Sequence, residues 1–165
     1  MSATTLPSPY PTRTTAEPVV LPRTDPVVWG DGTDGPLSPE QVQAYERNGF
    51  LPFQALVEPA DLVDLEREIA QLIASADRDD ERFILEKESD TVRSIFEVHK
   101  LSQLFADLAA DPRLAGPARQ ILGSEVYLHQ SRLNLKPGFR GKEFYWHSDF
   151  ETWHAEDGMP QMRAV

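Results

Sequence analysis

A histidine and an aspartate two residues apart, His147 and Asp149, could together hold a metal ion. They lie in the segment 144–150, FYWHSDF, which we predict to be a strand, so that both side chains project to one face. One imidazole nitrogen and one carboxylate oxygen are two of the three donors in the facial triad of non-haem Fe(II) sites. The third donor, a second histidine, normally comes from a distant strand. By itself the pair is weak support for a metal site, because such pairs also occur at solvated strand ends.

The three other histidines are weaker candidates for ligands. His154 follows His147 by seven residues and would point to the opposite face of a continuous strand, so we expect it at the surface or behind the site. We expect His129 to be a hydrogen-bonded structural residue and His99 to lie in a loop or helix cap. A structural zinc site made of His147, Asp149 and His154 remains an alternative, although the spacing is unusual.

The residues after Glu125 alternate in polarity and predict a strand that reaches Lys136. One face of this strand carries polar side chains, and the other carries mainly apolar ones such as Leu133 and Leu135. A strand that is polar on one face only favours a position beside a cavity. The polar face contains Gln130, Arg132, Asn134 and Lys136.

Helices with clear start and stop signals precede this strand. The residues around Ser38 form a capping box that predicts a helix over about 39–47, ended by Asn48-Gly49. Apolar periodicity predicts a helix from 59 to about 75, and two more are predicted over 101–109 and 112–122, with a break at Gly116-Pro117 left open. Short strands are predicted at 50–53, 83–85 and 91–96.

Composition limits the classes of partner and the location. The formal charge of −11 argues against nucleic acid as a partner, and no apolar run approaches the roughly 20 residues of a membrane span. The first residues lack the pattern of a signal peptide and the sequence contains no cysteine, so we expect a cytoplasmic protein without a signal peptide or thiolate sites. Eight of the 14 prolines fall within the first 39 residues, which predicts a flexible, Pro-rich arm over 1–35 and a domain over 36–165.

The polar strand and the His-Asp segment together resemble the signature region of a known family. Residues 130–138 (QSRLNLKPG), 144–154 (FYWHSDFETWH) and 156–160 (EDGMP) closely resemble ectoine hydroxylases. These enzymes are in the phytanoyl-CoA dioxygenase-like branch of the Fe(II)/2-oxoglutarate oxygenases. The resemblance is most specific over 126–165 and extends weakly back to Leu37. It implies a mainly β chain with flanking helices, built on an incomplete double-stranded β-helix (jelly-roll, cupin-like) core.

The resemblance also implies a reaction and a role for each matching residue. Ectoine would be hydroxylated to 5-hydroxyectoine, with Fe(II) as cofactor, 2-oxoglutarate and O₂ as co-substrates, and succinate and CO₂ as products. His147 and Asp149 would be catalytic iron ligands, Gln130 and Trp153 would contact ectoine, and Lys136 would contact 2-oxoglutarate. A cation suits a dicarboxylate, and an aromatic ring suits the delocalised cation of ectoine. Without the resemblance, Lys136 would be a solvated strand end and Trp153 a core residue.

In that family the second iron histidine lies beyond the region that this sequence matches. We therefore expect the chain to be the N-terminal part of a longer enzyme, inactive alone and with exposed strand edges. A homodimer of the full-length protein remains open. Two alternatives also remain: a related oxygenase that acts on a different small molecule, and a non-catalytic binding module.

Overall fold

A computed structural model describes residues 10–11, 16–17, 19–86, 89–135 and 146–165. These residues form two compact units. The sheet unit comprises the described residues of Val27–Phe144 with Val165, and the α6 unit comprises those of Met1–Pro26 and Tyr145–Ala164. The helices are α1 (Pro39–Asn48), α2 (Pro59–Ala74), α3 (Val98–Leu101), α4 (Gln103–Ala110), α5 (Pro112–Leu122) and α6 (Asp149–Ala155), and the strands are β1 (Phe83–Leu85), β2 (Val92–Phe96) and β3 (Arg132–Asn134).

The helix ends follow the local signals in the sequence. The Ser38 hydroxyl accepts a hydrogen bond from the Gln41 amide, and the Gln41 side chain accepts one from the Ser38 amide, which confirms the predicted capping box of α1. Helix α5 begins at Pro112 after the Asp111 cap and continues through Pro117 without a break. Among the described residues no helix has both the length and the apolar character that a membrane span requires.

The sheet is antiparallel in the order β1-β2-β3 and carries the apolar core of its unit. Ile95 on the central strand is fully buried, and Leu72 of α2 and Phe83 of β1 pack in the same cluster. Leu133 of β3 pairs with Ile95 and packs against this cluster, while its neighbours Arg132 and Asn134 are exposed. The predicted separation of polar and apolar faces is therefore confirmed within β3.

The strands predicted at 83–85 and 91–96 are confirmed as β1 and β2, whereas those predicted at 50–53 and after Glu125 are wrong in whole or in part. Residues 50–53 are not a strand, and within the described part of the segment from Glu125 only Arg132–Asn134 forms a strand. Alternating polarity is not sufficient for a strand, because the backbone also needs a neighbouring strand with which to pair. In the described residues more of the chain is helical than extended, so the expectation of a mainly β chain is not met there. The observed architecture is a small antiparallel sheet with flanking helices.

Gln120 of α5 holds the segment that precedes α1. Its side chain is 3% exposed and makes three hydrogen bonds to backbone groups. The amide oxygen accepts from the Leu37 N–H at 2.7 Å, and the amide nitrogen donates to the Gly32 and Leu37 carbonyls at 2.7 and 3.0 Å. These bonds satisfy buried backbone groups that have no helix or strand partner in this segment.

Replacing Gln120 with Leu should lower the free energy of unfolding by about 1–3 kcal/mol, because it leaves buried backbone groups without hydrogen bonds. Urea denaturation checks this value. Gln71→Leu on the exposed side of α2 is the matched control and should change stability little. Equal stability of the Gln120→Leu protein and the parent would show that these hydrogen bonds contribute nothing.

Candidate metal centre

The segment that carries the His-Asp pair is not the strand that we predicted. Asp149–Ala155 forms helix α6, and Ser148 before it is extended. Phe150 is buried, the next two residues are exposed, and Trp153 and His154 are half-buried, which is a helical period. A serine followed three residues later by Glu151 is a typical helix-start signal that could have indicated α6 from sequence, although the Ser148 side chain makes no capping bond. Residues 144 and 145 lie outside the described part of the chain.

His147 and Asp149 nevertheless lie side by side. The Nε2 atom of His147 is 3.1 Å from Oδ1 of Asp149, and both side chains are more than half exposed. Two donor atoms that bind one metal ion at a right angle, each with a bond of about 2.1 Å, are about 3 Å from each other. The donor types and their separation therefore both fit two adjacent positions on one metal ion. Without a metal, the same geometry allows a hydrogen bond between the two side chains.

Helix α6 has two adjacent faces with different surroundings. Asp149 and Trp153 are four residues apart and so lie on one face, while Phe150 and His154 lie together on the next. Phe150 is 8% exposed, and its ring stacks on that of His154 with centroids 5.5 Å apart and an interplanar angle of 21°. One face of the helix is thus packed, and the neighbouring face presents the aspartate and the tryptophan.

An N-terminal tyrosine completes this aromatic cluster. The Tyr10 ring meets Phe150 and His154 edge-on, with centroids at 4.9 and 5.1 Å. Its hydroxyl donates to the Asp25 carboxylate at 2.6 Å. This hydrogen bond to a carboxylate raises the pKa of the Tyr10 hydroxyl above its ordinary value. Asp25 also accepts from the Met162 amide at 3.1 Å, which joins the N-terminal segment to the chain after α6.

A tight turn follows α6 and orients His154. Gly158 has a positive φ of 74°, and the Met159 amide donates to the Trp153 carbonyl at 2.9 Å. Nδ1 of His154 lies 2.6 Å from the Met159 carbonyl oxygen, so this nitrogen carries the proton and donates it. Among the described residues no three His, Asp or Glu side chains converge as a metal site. The zinc alternative with His154 as third ligand is therefore wrong.

Of the other residues predicted for the site, Trp153 belongs to the same unit as the His-Asp pair, and Gln130 belongs to the sheet unit. Gln130 is exposed in an irregular segment of the sheet unit, just before β3. Lys136 lies outside the described residues. Arg132 stacks its guanidinium over the Phe96 ring at 5.3 Å, and Asn134 accepts a hydrogen bond from the Ser94 hydroxyl. These last two polar side chains therefore contact neighbours within the sheet.

The remaining histidines belong to the sheet unit. His99 is the second residue of α3 rather than a loop or cap residue, and its Nδ1 is 2.5 Å from the Ser131 hydroxyl oxygen. His129 is exposed, beside the ring of Tyr127, rather than on a buried strand face. Neither arrangement suggests a metal ligand.

A cavity of about 210 Å³ opens in the sheet unit between α2, α4 and the start of α5. Its apolar wall includes Leu65, Leu104 and Leu108, and its polar side chains are mainly aspartates, such as Asp61. Among the described residues, none of those predicted for the site lines this cavity, so it is not the proposed site of chemistry.

Comparison with known sequences assigns the class of protein. A sequence model of the family described as Phytanoyl-CoA dioxygenase (PhyH) matches residues 45–165, which is most of the chain. The chain therefore belongs to the phytanoyl-CoA dioxygenase family. The ectoine dioxygenase of Streptomyces anulatus is 54% identical over 158 residues, which cover 94% of this chain and 53% of that protein. The ectoine dioxygenase of Halomonas elongata is 53% identical over 161 residues, which cover 95% of this chain and 48% of that protein.

Solved structures agree with this assignment. A crystal structure of EctD from S. alaskensis with 2-oxoglutarate and 5-hydroxyectoine aligns with a TM-score of 0.85 at 48% identity, covering 94% of this chain and 56% of that one. The structure of the same protein with bound Fe aligns with a TM-score of 0.84. The predicted resemblance to ectoine hydroxylases is thereby confirmed. The chain spans about half the length of the curated relatives that it matches.

Gly158→Val should destabilise the turn after α6 by about 1–2 kcal/mol, because a β-branched residue is strained at positive φ. A Cβ atom at this position meets nothing within 4 Å, so the cost comes from the backbone alone. Gly158→Asn is the matched control, since asparagine tolerates this conformation better. Hydrogen exchange at the Met159 amide measures the opening of the turn. Equal exchange in the two variants would contradict this explanation.

Proposed function

We propose that His147 and Asp149 are two ligands of a catalytic Fe(II) ion and act as the catalytic residues of a 2-oxoglutarate-dependent dioxygenase. The observation that carries this proposal is their 3.1 Å separation, which suits two donors on one ion. The third donor is a histidine that the described residues do not supply. The crystal structure of a 48% identical protein with bound Fe supports the choice of metal.

The substrate that we propose is ectoine, and the product is 5-hydroxyectoine. When bound, Fe(II) supplies an oxidation in which O₂ and 2-oxoglutarate yield succinate, CO₂ and a hydroxyl group on the substrate. Relatives that are more than half identical are named ectoine dioxygenase, and a similar crystal structure contains both 2-oxoglutarate and 5-hydroxyectoine. This activity also requires the part of these relatives that lies outside the match to this chain.

The roles of this chain's own side chains follow from their chemistry. Trp153 lies on the same face of α6 as Asp149, so its ring can pack against the delocalised cation of ectoine beside the metal. Gln130 contacts the substrate through its amide. Lys136 pairs with a carboxylate of 2-oxoglutarate, since an ammonium group forms charge-assisted hydrogen bonds with carboxylates. The packed face of α6 keeps Asp149 in place for the metal.

The three-stranded sheet is proposed to be one part of a jelly-roll core. Similarity to EctD structures over 94% of this chain supports the assignment. The edges of a three-stranded sheet have unpaired backbone groups, so further strands are needed to close a barrel. The cytoplasmic location, a homodimer of the longer protein and the flexibility of residues 1–35 stay predictions, and the last does not extend to Tyr10 and Asp25, which hydrogen-bond to each other.

Turnover of ectoine tests the proposed reaction. The 165-residue chain and a version extended through its downstream reading frame are each incubated with Fe(II), 2-oxoglutarate and ectoine, and succinate and hydroxyectoine are quantified. We expect both products from the extended protein alone, and none from its His147→Ala variant. Succinate that forms without hydroxyectoine would favour an oxygenase with a different small substrate. An extended protein that neither binds Fe(II) nor forms succinate would favour a binding module.

Asp149→Ala should weaken Fe(II) binding by the extended protein at least about 100-fold. Loss of a residue that merely supports a ligand already costs 10–100-fold, and Asp149 would be a ligand itself. Anaerobic titration with Fe(II) measures the affinity. Glu151→Gln, an exposed carboxylate two residues away on the same helix, is the control and should bind Fe(II) normally. Equal losses in both variants would indicate general attraction of a cation rather than ligation.

A further inference from the structure

The N-terminal segment contacts the helix that carries Asp149. Helix α6 has only seven residues, and helices of that length are not stable in water without outside contacts. The buried side chain of α6 is Phe150, which directly follows Asp149 in the chain. The position of the aspartate therefore depends on what holds Phe150.

Tyr10 holds Phe150 from outside the helix. Its ring meets both Phe150 and His154 edge-on, at 4.9 and 5.1 Å, and so spans one full turn of α6. These two contacts restrain rotation of α6 about its own axis, because both rings would have to move past Tyr10. Rotation of α6 would carry Asp149 away from His147, which lies outside the helix.

The position of Tyr10 is itself fixed by a set of hydrogen bonds. Its hydroxyl donates to Asp25, and the same carboxylate oxygen accepts from the Met162 amide. Arg23 supports this arrangement by donating to the backbone carbonyls of Asp25 and Pro26 at 3.0 and 2.8 Å. These hydrogen bonds link the N-terminal segment to the chain that follows α6, so Tyr10 is held in position against the helix.

We propose that Tyr10, Arg23 and Asp25 form a clamp that positions α6, and with it Asp149 and Trp153, for metal and substrate binding. The three are positioning residues, since they act through Phe150 and His154 rather than on the metal. The functional part of this proposal rests on the proposed iron site. The mechanical part, that Tyr10 keeps the hydrogen bonds of α6 from opening, does not depend on the iron site.

Amide hydrogen exchange tests the mechanical part. The amides of Glu156 and Met159 donate to carbonyl oxygens within α6, and the Gly49 amide at the end of α1 is a reference in the sheet unit. In the Tyr10→Leu variant we expect the exchange rates of the Glu156 and Met159 amides to rise about tenfold, with no change at the Gly49 amide. Tyr10→Phe retains the ring and loses only the bond to Asp25, so a smaller rise is expected.

Tyr127→Leu is the matched control, because Tyr127 is 80% exposed and belongs to the sheet unit. It should leave exchange in α6 unchanged. Unchanged exchange of α6 in Tyr10→Leu would overturn the clamp. An equal rise at Gly49 would also overturn it, because Tyr10 would then stabilise the whole chain rather than α6.

Iron affinity tests the functional part in the extended protein. We expect Tyr10→Leu to raise the Fe(II) concentration for half-maximal binding about tenfold, and kcat to recover at saturating Fe(II). A merely structural role would lower the amount of active protein at every Fe(II) concentration. Normal Fe(II) affinity in a variant whose α6 exchanges faster would overturn positioning. Failure of the parent protein to bind Fe(II) would refute the iron site and leave the exchange result to decide the clamp.

Discussion

The contact between Phe150 and the Tyr10 ring is the interaction on which the candidate metal centre depends. Helix α6 is too short to be stable through its own hydrogen bonds, and it places an exposed aspartate at its first position. Burial of the next residue fixes the axis of this helix and its rotation. The 3.1 Å separation of His147 and Asp149 is thus a product of packing at a neighbouring residue, rather than of the spacing in sequence alone.

The sheet unit contains its own core and its own fixed connections. Ile95 and its apolar neighbours join the three strands to α2, and Gln120 secures the chain before α1. This unit presents Arg132 and Asn134 on the exposed side of β3, where they contact other residues of the sheet.

Among the described residues, local signals predicted α1, α2, α4 and α5 and the strands β1 and β2, but they missed α3 and α6 and the extent of the strand after Glu125. Ser38 and Asp111 each cap a helix through bonds within three residues, so the sequence alone contains the necessary information. Strand formation after Glu125 depends on pairing with distant residues, and the alternating pattern could not reveal where that pairing stops. The segment around Asp149 was predicted as a strand, although Ser148 followed three residues later by Glu151 is a helix-start signal.

The site was predictable to the extent that its residues are close in sequence or part of a family signature. His147 and Asp149 were proposed from their types and spacing, and the structure places them 3.1 Å apart. Trp153 was proposed from the resemblance. Tyr10 carries no such signal, because its contacts join residues that are far apart in the chain.

The most direct test of the iron site is a crystal of the extended protein grown with Fe(II) and examined by anomalous diffraction at the iron edge. We predict an iron peak about 2.1 Å from both His147 Nε2 and Asp149 Oδ1. Iron bound elsewhere, with these two side chains paired only to each other, would contradict the account.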